Sequence, residues 1–106
     1  MTMRPVPDRA EVSVDFPDKT YMGAFGRNAK FEAMCRPNDV VLKLRQTGAE
    51  RRDVELHMHH MLFVDVLDDL AQSARTPGTV DPEHRGEFAA ACRRLADALD
   101  EGASSS

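Results

Sequence analysis

The chain has 106 residues, with 14 Lys and Arg against 18 Asp and Glu, and a formal net charge of −4. This length fits one domain with a single modest core, and the acidic balance argues against tight general binding to nucleic acid, which depends on cationic side chains. Two isolated cysteines, no apolar signal segment and no run long enough to cross a membrane predict a cytoplasmic protein. No cofactor is expected.

Five segments between residues 10 and 59 have the pattern of short β-strands. In the first, Ala10, Val12, Val14 and Phe16 alternate with polar residues, which is typical of a strand with one buried face. The five predicted strands are residues 10–16, 20–26, 30–36, 40–45 and 51–59. The preceding residues 1–8 contain two prolines and no period, and we expect a flexible arm there.

The segments between these strands favour tight turns. Pro17-Asp18, Arg27-Asn28, Pro37-Asn38 and Thr47-Gly48 supply residues that preset φ or tolerate positive φ. Such short connections cannot make parallel crossovers, so the sequence predicts a five-stranded antiparallel meander. In the fourth strand the even-numbered residues of 40–45 are expected to face the core, and Val41, Lys43 and Arg45 to face outward.

The apolar period changes from two to about 3.6 within Asp53–Ala74. Val54, Leu56 and Met58 alternate with polar residues, whereas the apolar residues that follow recur at helical spacing. We therefore expect a strand that continues into a helix at the histidines. In an alternative interpretation the helix begins at Asp53, with that carboxylate as its N-cap.

The first predicted helix has an apolar arc wider than one sheet face requires. Its centre would pack on the sheet, while Val64 and Ala71 widen it on one flank. A second partner is therefore expected on that flank, either the second helix or another subunit. The expected fold class is α+β, with the meander followed by two helices and the first helix packed on one sheet face.

A second helix is predicted to begin at Asp81-Pro82-Glu83, an N-cap acid followed by proline at the first helical position. Its apolar residues follow steps of four, three and four, and form a narrow seam of Phe88, Cys92, Leu95 and Leu99. With Val64 and Ala71, this seam is the candidate oligomer interface. Gly102 is the expected stop, so the sequence predicts one domain over residues 9–101 and a disordered tail over 102–106.

The histidine-rich strand contains a candidate metal site. Glu55, His57 and His59 would project from the same face, about 6.5–7 Å apart along the chain. Imidazole and carboxylate are suitable zinc ligands, although no fourth ligand and no known metal spacing accompany them. In the helical alternative, His57 and His60 would be neighbours instead. The other interpretation of the strand is a solvated face.

A second candidate site is a basic outer sheet face that could bind single-stranded nucleic acid. Its charge would come from Lys30, Lys43, Arg45 and Arg51. Tyr21 and Phe25 are the candidate stacking aromatics, provided that their strand faces outward. The alternative is a solvated face, or one that contacts another subunit.

No sequence pattern indicates catalysis. Cys35 is expected in the core and Cys92 in the helix seam, no serine has a nucleophile-elbow context, and no Gly-rich phosphate loop is present. We therefore expect a small non-catalytic binding or assembly module. A homodimer is the preferred partner arrangement, another protein is possible, and nucleic acid is the less favoured alternative.

Overall fold

The computed structural model describes residues 3–48 and 50–104 and has an α+β fold, which confirms the predicted class. The elements are β1 Arg4–Pro5, β2 Ala10–Phe16, β3 Lys19–Phe25, β4 Lys30–Cys35, β5 Asp39–Gln46, β6 Arg52–His59, α1 His60–Ala74 and α2 Pro82–Ser104. The chain divides into two compact units, one up to Asp65 and one from Val66. The single domain over residues 9–101 stays a prediction.

The strands form two antiparallel sheets instead of one continuous meander. The larger sheet has the order β1-β4-β5-β6, and β2 and β3 form a separate hairpin. The predicted meander requires β3 to pair with β4, and these two strands do not pair. Instead β1 pairs with β4, with Arg4 opposite Phe31, and the backbone N–H of Val6 donates to the carbonyl of Ala29 at 3.0 Å.

The core of the first unit lies where the hairpin meets one end of the larger sheet. Val6, Phe25 and Ala29 are buried, and partly buried side chains pack against them from β2, β4, β5 and β6: Ala10, Val12, Phe31, Leu44 and Val54. The base of the hairpin thus covers the sheet instead of extending it. The segment predicted as an arm contributes β1 and the buried Val6, while residues 1–2 lie outside the described part of the chain.

The apolar face of the larger sheet is covered at one end only. Ala33, Leu42 and Leu56 lie side by side across β4, β5 and β6, and all three are exposed. Cys35, expected in the core, is exposed as well. On the opposite face the prediction for Val41 is wrong, because its side chain is fully buried; Met34 and His57 lie opposite it in the neighbouring strands.

The junction between strand and helix lies where the change of period places it. β6 ends at His59 and α1 begins at His60, so the alternative helix from Asp53 is wrong. The ring of His60 holds this junction against the turn before β5, because its Nε2 lies 2.9 Å from the carbonyl oxygen of Arg36 and 3.2 Å from that of Asp39.

α2 begins with the predicted cap. The Asp81 carboxylate accepts the backbone N–H of Glu83 at 3.0 Å, and this bond, followed by the hydrogen bond with His84, lowers the pKa of Asp81. The helix continues through Gly102, the expected stop, to Ser104. Of the predicted tail, residues 105–106 lie outside the described residues.

Candidate interaction surfaces

A charged network surrounds His57 on β6. Its Nε2 lies 2.6 Å from Glu55 Oε1, and its Nδ1 lies 3.4 Å from Asp39 Oδ2 and 3.2 Å from Nη2 of Arg36. Arg36 also holds Asp39 in a bidentate pair, with N–O distances of 2.7 and 2.8 Å. This pairing, assisted by the hydrogen bond from His57, lowers the pKa of Asp39 to about 2.

The three predicted metal ligands do not converge. Glu55 and His57 bond to each other, whereas Nδ1 of His59 accepts the backbone N–H of Met61 at 3.3 Å. Within residues 3–48 and 50–104, no group of three or more His, Cys, Asp and Glu side chains is arranged to hold a metal ion. The cluster is therefore a hydrogen-bonded surface network that links the β4–β5 turn to the last strand.

The predicted basic face carries acidic as well as basic side chains. Strand register aligns Lys30 with Arg45 and Asp53, and it places Lys43 between Glu32 and Glu55. Asp53 accepts hydrogen bonds from Arg45 at 2.9 Å and from Arg51 at 3.3 Å. The cations are thus balanced by carboxylates, which weakens the field available to a phosphate backbone.

The two candidate stacking aromatics have different environments. Tyr21 is exposed, packs edge to face on Phe16 at 6.0 Å between ring centroids, and has the Lys19 ammonium 5.4 Å from its ring centre. Phe25 is fully buried in the core, so its ring cannot stack on a base. With Phe25 removed from the set, no pair of the predicted aromatics lines the basic face.

A groove of about 520 Å³ on the hairpin passes Arg9, Gly23 and Arg52. Its cations already have partners, because Arg9 pairs with Glu11 at 2.6 Å and Arg52 donates to Glu50 at 3.0 Å and to the Ala24 carbonyl at 3.1 Å. The Arg52 side chain lies directly over Gly23, where an added Cβ would be 3.4 Å from Arg52 Cδ. We therefore assign Arg52 to bracing the hairpin.

The apolar side of α1 is only partly covered, since Phe63, Val66 and Ala74 are half-buried. No residue of this helix is buried, and Val64 and Leu70 are about half exposed. Its central positions Phe63, Leu67, Leu70 and Ala74 follow steps of four, three and four, which matches the spacing found in α2. The predicted interface residue Ala71 lies beside them and is exposed too.

The seam of α2 is exposed along its whole length. Phe88 is 53% and Leu99 is 61% exposed, and Cys92 and Leu95 lie between them. On a wheel of 100° per residue the seam is bordered by alanines, at positions 89, 91, 96 and 98, and the charges of Arg93, Arg94 and Asp97 fall on the far side. Among the described residues after Val66 none is buried, so this unit has no core of its own.

Two exposed features were not singled out as candidate sites from the sequence. One is the apolar half of the larger sheet around Leu42 and Leu56, both of which are exposed. The other is the outer edge of β6, which within the described residues pairs with β5 alone.

Comparison with protein-family models, curated proteins and solved structures finds no match to this chain. Within the part of the chain that the structure describes, neither helix combines the length and apolar character needed to cross a bilayer.

Proposed function

We propose that the chain is a small non-catalytic assembly module that forms a homodimer through its two C-terminal helices. The observation that carries this proposal is the pair of exposed apolar seams, one on α1 and one on α2. A soluble protein rarely leaves a large apolar patch uncovered unless another molecule binds there.

A helical unit of this size also needs a partner to form a core. The unit from Val66 onward contains about 40 residues, near the length below which chains usually require oligomerisation, metals or disulfides. Both cysteines are free, so no disulfide supplies that stability. The free thiols also support our assignment to the cytoplasm, which belongs to the same proposal.

A second copy is the occupant that the seams fit best. The apolar residues of α1 and α2 have the same spacing. The four helices of two copies can therefore pack as a bundle in which the apolar side chains of one helix fit between those of its neighbours. The alanines beside the α2 seam allow close approach on both flanks. Isologous pairing of identical surfaces is the commonest arrangement of soluble oligomers.

The area available is of the right order for a dimer. Five side chains per copy have roughly a third to three-fifths of their surface exposed: Leu67, Leu70, Phe88, Leu95 and Leu99. Burying each exposed part is worth about 1 kcal/mol, hence about 10 kcal/mol for two copies. Association costs roughly 4–15 kcal/mol, so the helices come close to sustaining a dimer and a further contact would strengthen it.

Substitution of Leu95 by Glu tests the proposal. Glutamate keeps the helix propensity of this position but places one charge per copy, hence two per dimer, in the apolar interface. Sedimentation velocity should show a dimer for the unaltered chain and mostly monomer for Leu95→Glu. Met22→Glu is the matched control, since Met22 is 81% exposed on the hairpin and outside the seam. If Leu95→Glu sediments like Met22→Glu, the helical seam is not the assembly surface.

A further inference from the structure

β6 has an unusually open edge for an eight-residue strand. It pairs with β5 in an unbroken register from Gln46 opposite Arg52 to Asp39 opposite His59, so no bulge twists the strand away. Within the described residues its other edge has no strand partner. Natural proteins usually protect such edges with proline, lysine, bulges or charges pointing to the apolar side.

β6 lacks most of these protections. It contains neither proline nor lysine, and its only charge on the apolar side is Arg52, at its first residue. Its central residue on that side is Leu56, which is 49% exposed and lies opposite Leu42 of β5. The edge therefore offers backbone hydrogen-bonding groups beside an uncovered apolar surface.

The sequence of this strand is complementary to itself in the antiparallel direction. The three residues before Leu56 are an acid, an apolar residue and an acid, Asp53-Val54-Glu55. The three residues after it are a histidine, an apolar residue and a histidine, His57-Met58-His59. A two-fold axis through Leu56 would place Glu55 opposite His57 of the second copy. It would also place Asp53 opposite His59 and Val54 opposite Met58.

Only this register matches every acidic residue of the strand with a histidine. A shift by one residue would set polar side chains beside apolar ones, because side chains alternate between faces. An axis at Glu55 would oppose two glutamates, and an axis at His57 would oppose two histidines. An imidazole N–H can donate to a carboxylate, so each acid–histidine pair about Leu56 would have a donor facing an acceptor.

We infer that β6 pairs antiparallel with β6 of a second copy about Leu56, so that two four-stranded sheets form one continuous sheet. This inference rests on the proposed homodimer and assigns it a second contact surface. The contacts of Glu55 and His57 within one chain leave this possible, because both side chains keep 51% and 42% of their surface exposed. The join would also continue the apolar strip of Leu42 and Leu56 across the two copies.

Cysteine cross-linking tests the register directly. Residues directly opposite each other in an antiparallel pair have Cα atoms about 4.5–5.5 Å apart, within the range that a disulfide spans. Leu56→Cys, in a chain with Cys35 changed to serine and Cys92 to alanine, should become a covalent dimer under mild oxidation. Leu42→Cys is the matched control, because it lies on the same face but on the interior strand, and it should cross-link at least tenfold more slowly.

The outcomes separate this inference from the proposed function. If the chain sediments as a dimer but Leu56→Cys cross-links no faster than Leu42→Cys, the edge pairing is wrong and the helical dimer stands. If the chain is a monomer at high concentration, both are wrong.

Mixing two charge variants gives an independent test that does not depend on oxidation. The variant H57E carries two glutamates at the centre of the edge, and the double variant E55K/H57K carries two lysines. Each alone should form homodimers about tenfold to thirtyfold more weakly, because two cross-strand pairs become like-charged. An equimolar mixture should recover the affinity as a heterodimer. Failure of the mixture to recover it would show that these residues act within one chain and would overturn the pairing.

Discussion

Phe25→Ala distinguishes a core role for Phe25 from the surface role that the sequence allowed. The ring is fully buried among Val6 and Ala29, and partly buried side chains from both sheets pack around it. Removing a buried phenylalanine ring typically costs about 3–5 kcal/mol, as lost transfer free energy plus the residual cavity. Small domains have unfolding free energies of about 5–15 kcal/mol in total, so this variant should lose a large fraction of its stability.

The assay is urea unfolding followed by far-UV circular dichroism, at one fixed protein concentration so that association does not change the comparison. Tyr21→Ala is the matched control on the same strand and the same face. It should cost only about 1 kcal/mol, because it removes an exposed ring and its edge contact with Phe16. A cost for Phe25→Ala within 1 kcal/mol of that for Tyr21→Ala would refute the placement of Phe25 in the core.

Three further outcomes follow from local contacts. The pKa of the Asp39 carboxylate is lowered from 3.8 to about 2, so its stabilising contribution is present above pH 3.8 and is lost as the pH falls towards 2. Over this range the urea midpoint of the unaltered chain should therefore fall more steeply than that of Asp39→Asn. Asp81→Ala should destabilise the start of α2 by about 0.5–2 kcal/mol, seen as reduced ellipticity at 222 nm, and unchanged helicity would contradict the cap. Gly48→Ala should lower stability by about 1 kcal/mol because Gly48 has a φ of 116°, and a stabilised variant would show that this turn tolerates a side chain.

Local chemistry was sufficient to predict most elements of this fold. The change of apolar period at the histidines located the junction between His59 and His60, because strands and helices impose different spacings on buried residues. Proline, asparagine and glycine located the turns, and Asp81-Pro82 located the start of α2. These signals are carried by a few neighbouring residues and need no knowledge of the remaining chain.

The antiparallel pairs β2–β3, β4–β5 and β5–β6 agree with the predicted meander, but the pairing of β1 with β4 and the separation of the β2–β3 hairpin could not be predicted in the same way. A strand of two residues, Arg4–Pro5, is too short to show a period, yet it occupies the edge of β4. The hairpin of β2 and β3 has one apolar face, which could serve a strand within a continuous sheet or one packed over another sheet. Phe25 and Ala29, at the connection between β3 and β4, are buried together, which shows that the hairpin packs over the larger sheet. This burial depends on the tertiary structure and cannot be inferred from the hairpin sequence.

The candidate sites depended even more on neighbouring strands. The basic residues on β4 and β5 suggested a cationic face, but the register brings Asp53 and Glu55 of β6 beside them. His57 turns towards Glu55 and Asp39 instead of joining His59 at a metal. The apolar seam of α2 was predictable because it lies on a single helix, and its residues stay the centre of the proposed assembly.

Sedimentation equilibrium of the unaltered chain, over concentrations from micromolar to millimolar, tests the central claim most directly. The homodimer predicts an average mass that rises with concentration towards twice the chain mass of 11.8 kDa. A constant mass of one chain across the whole range would contradict it.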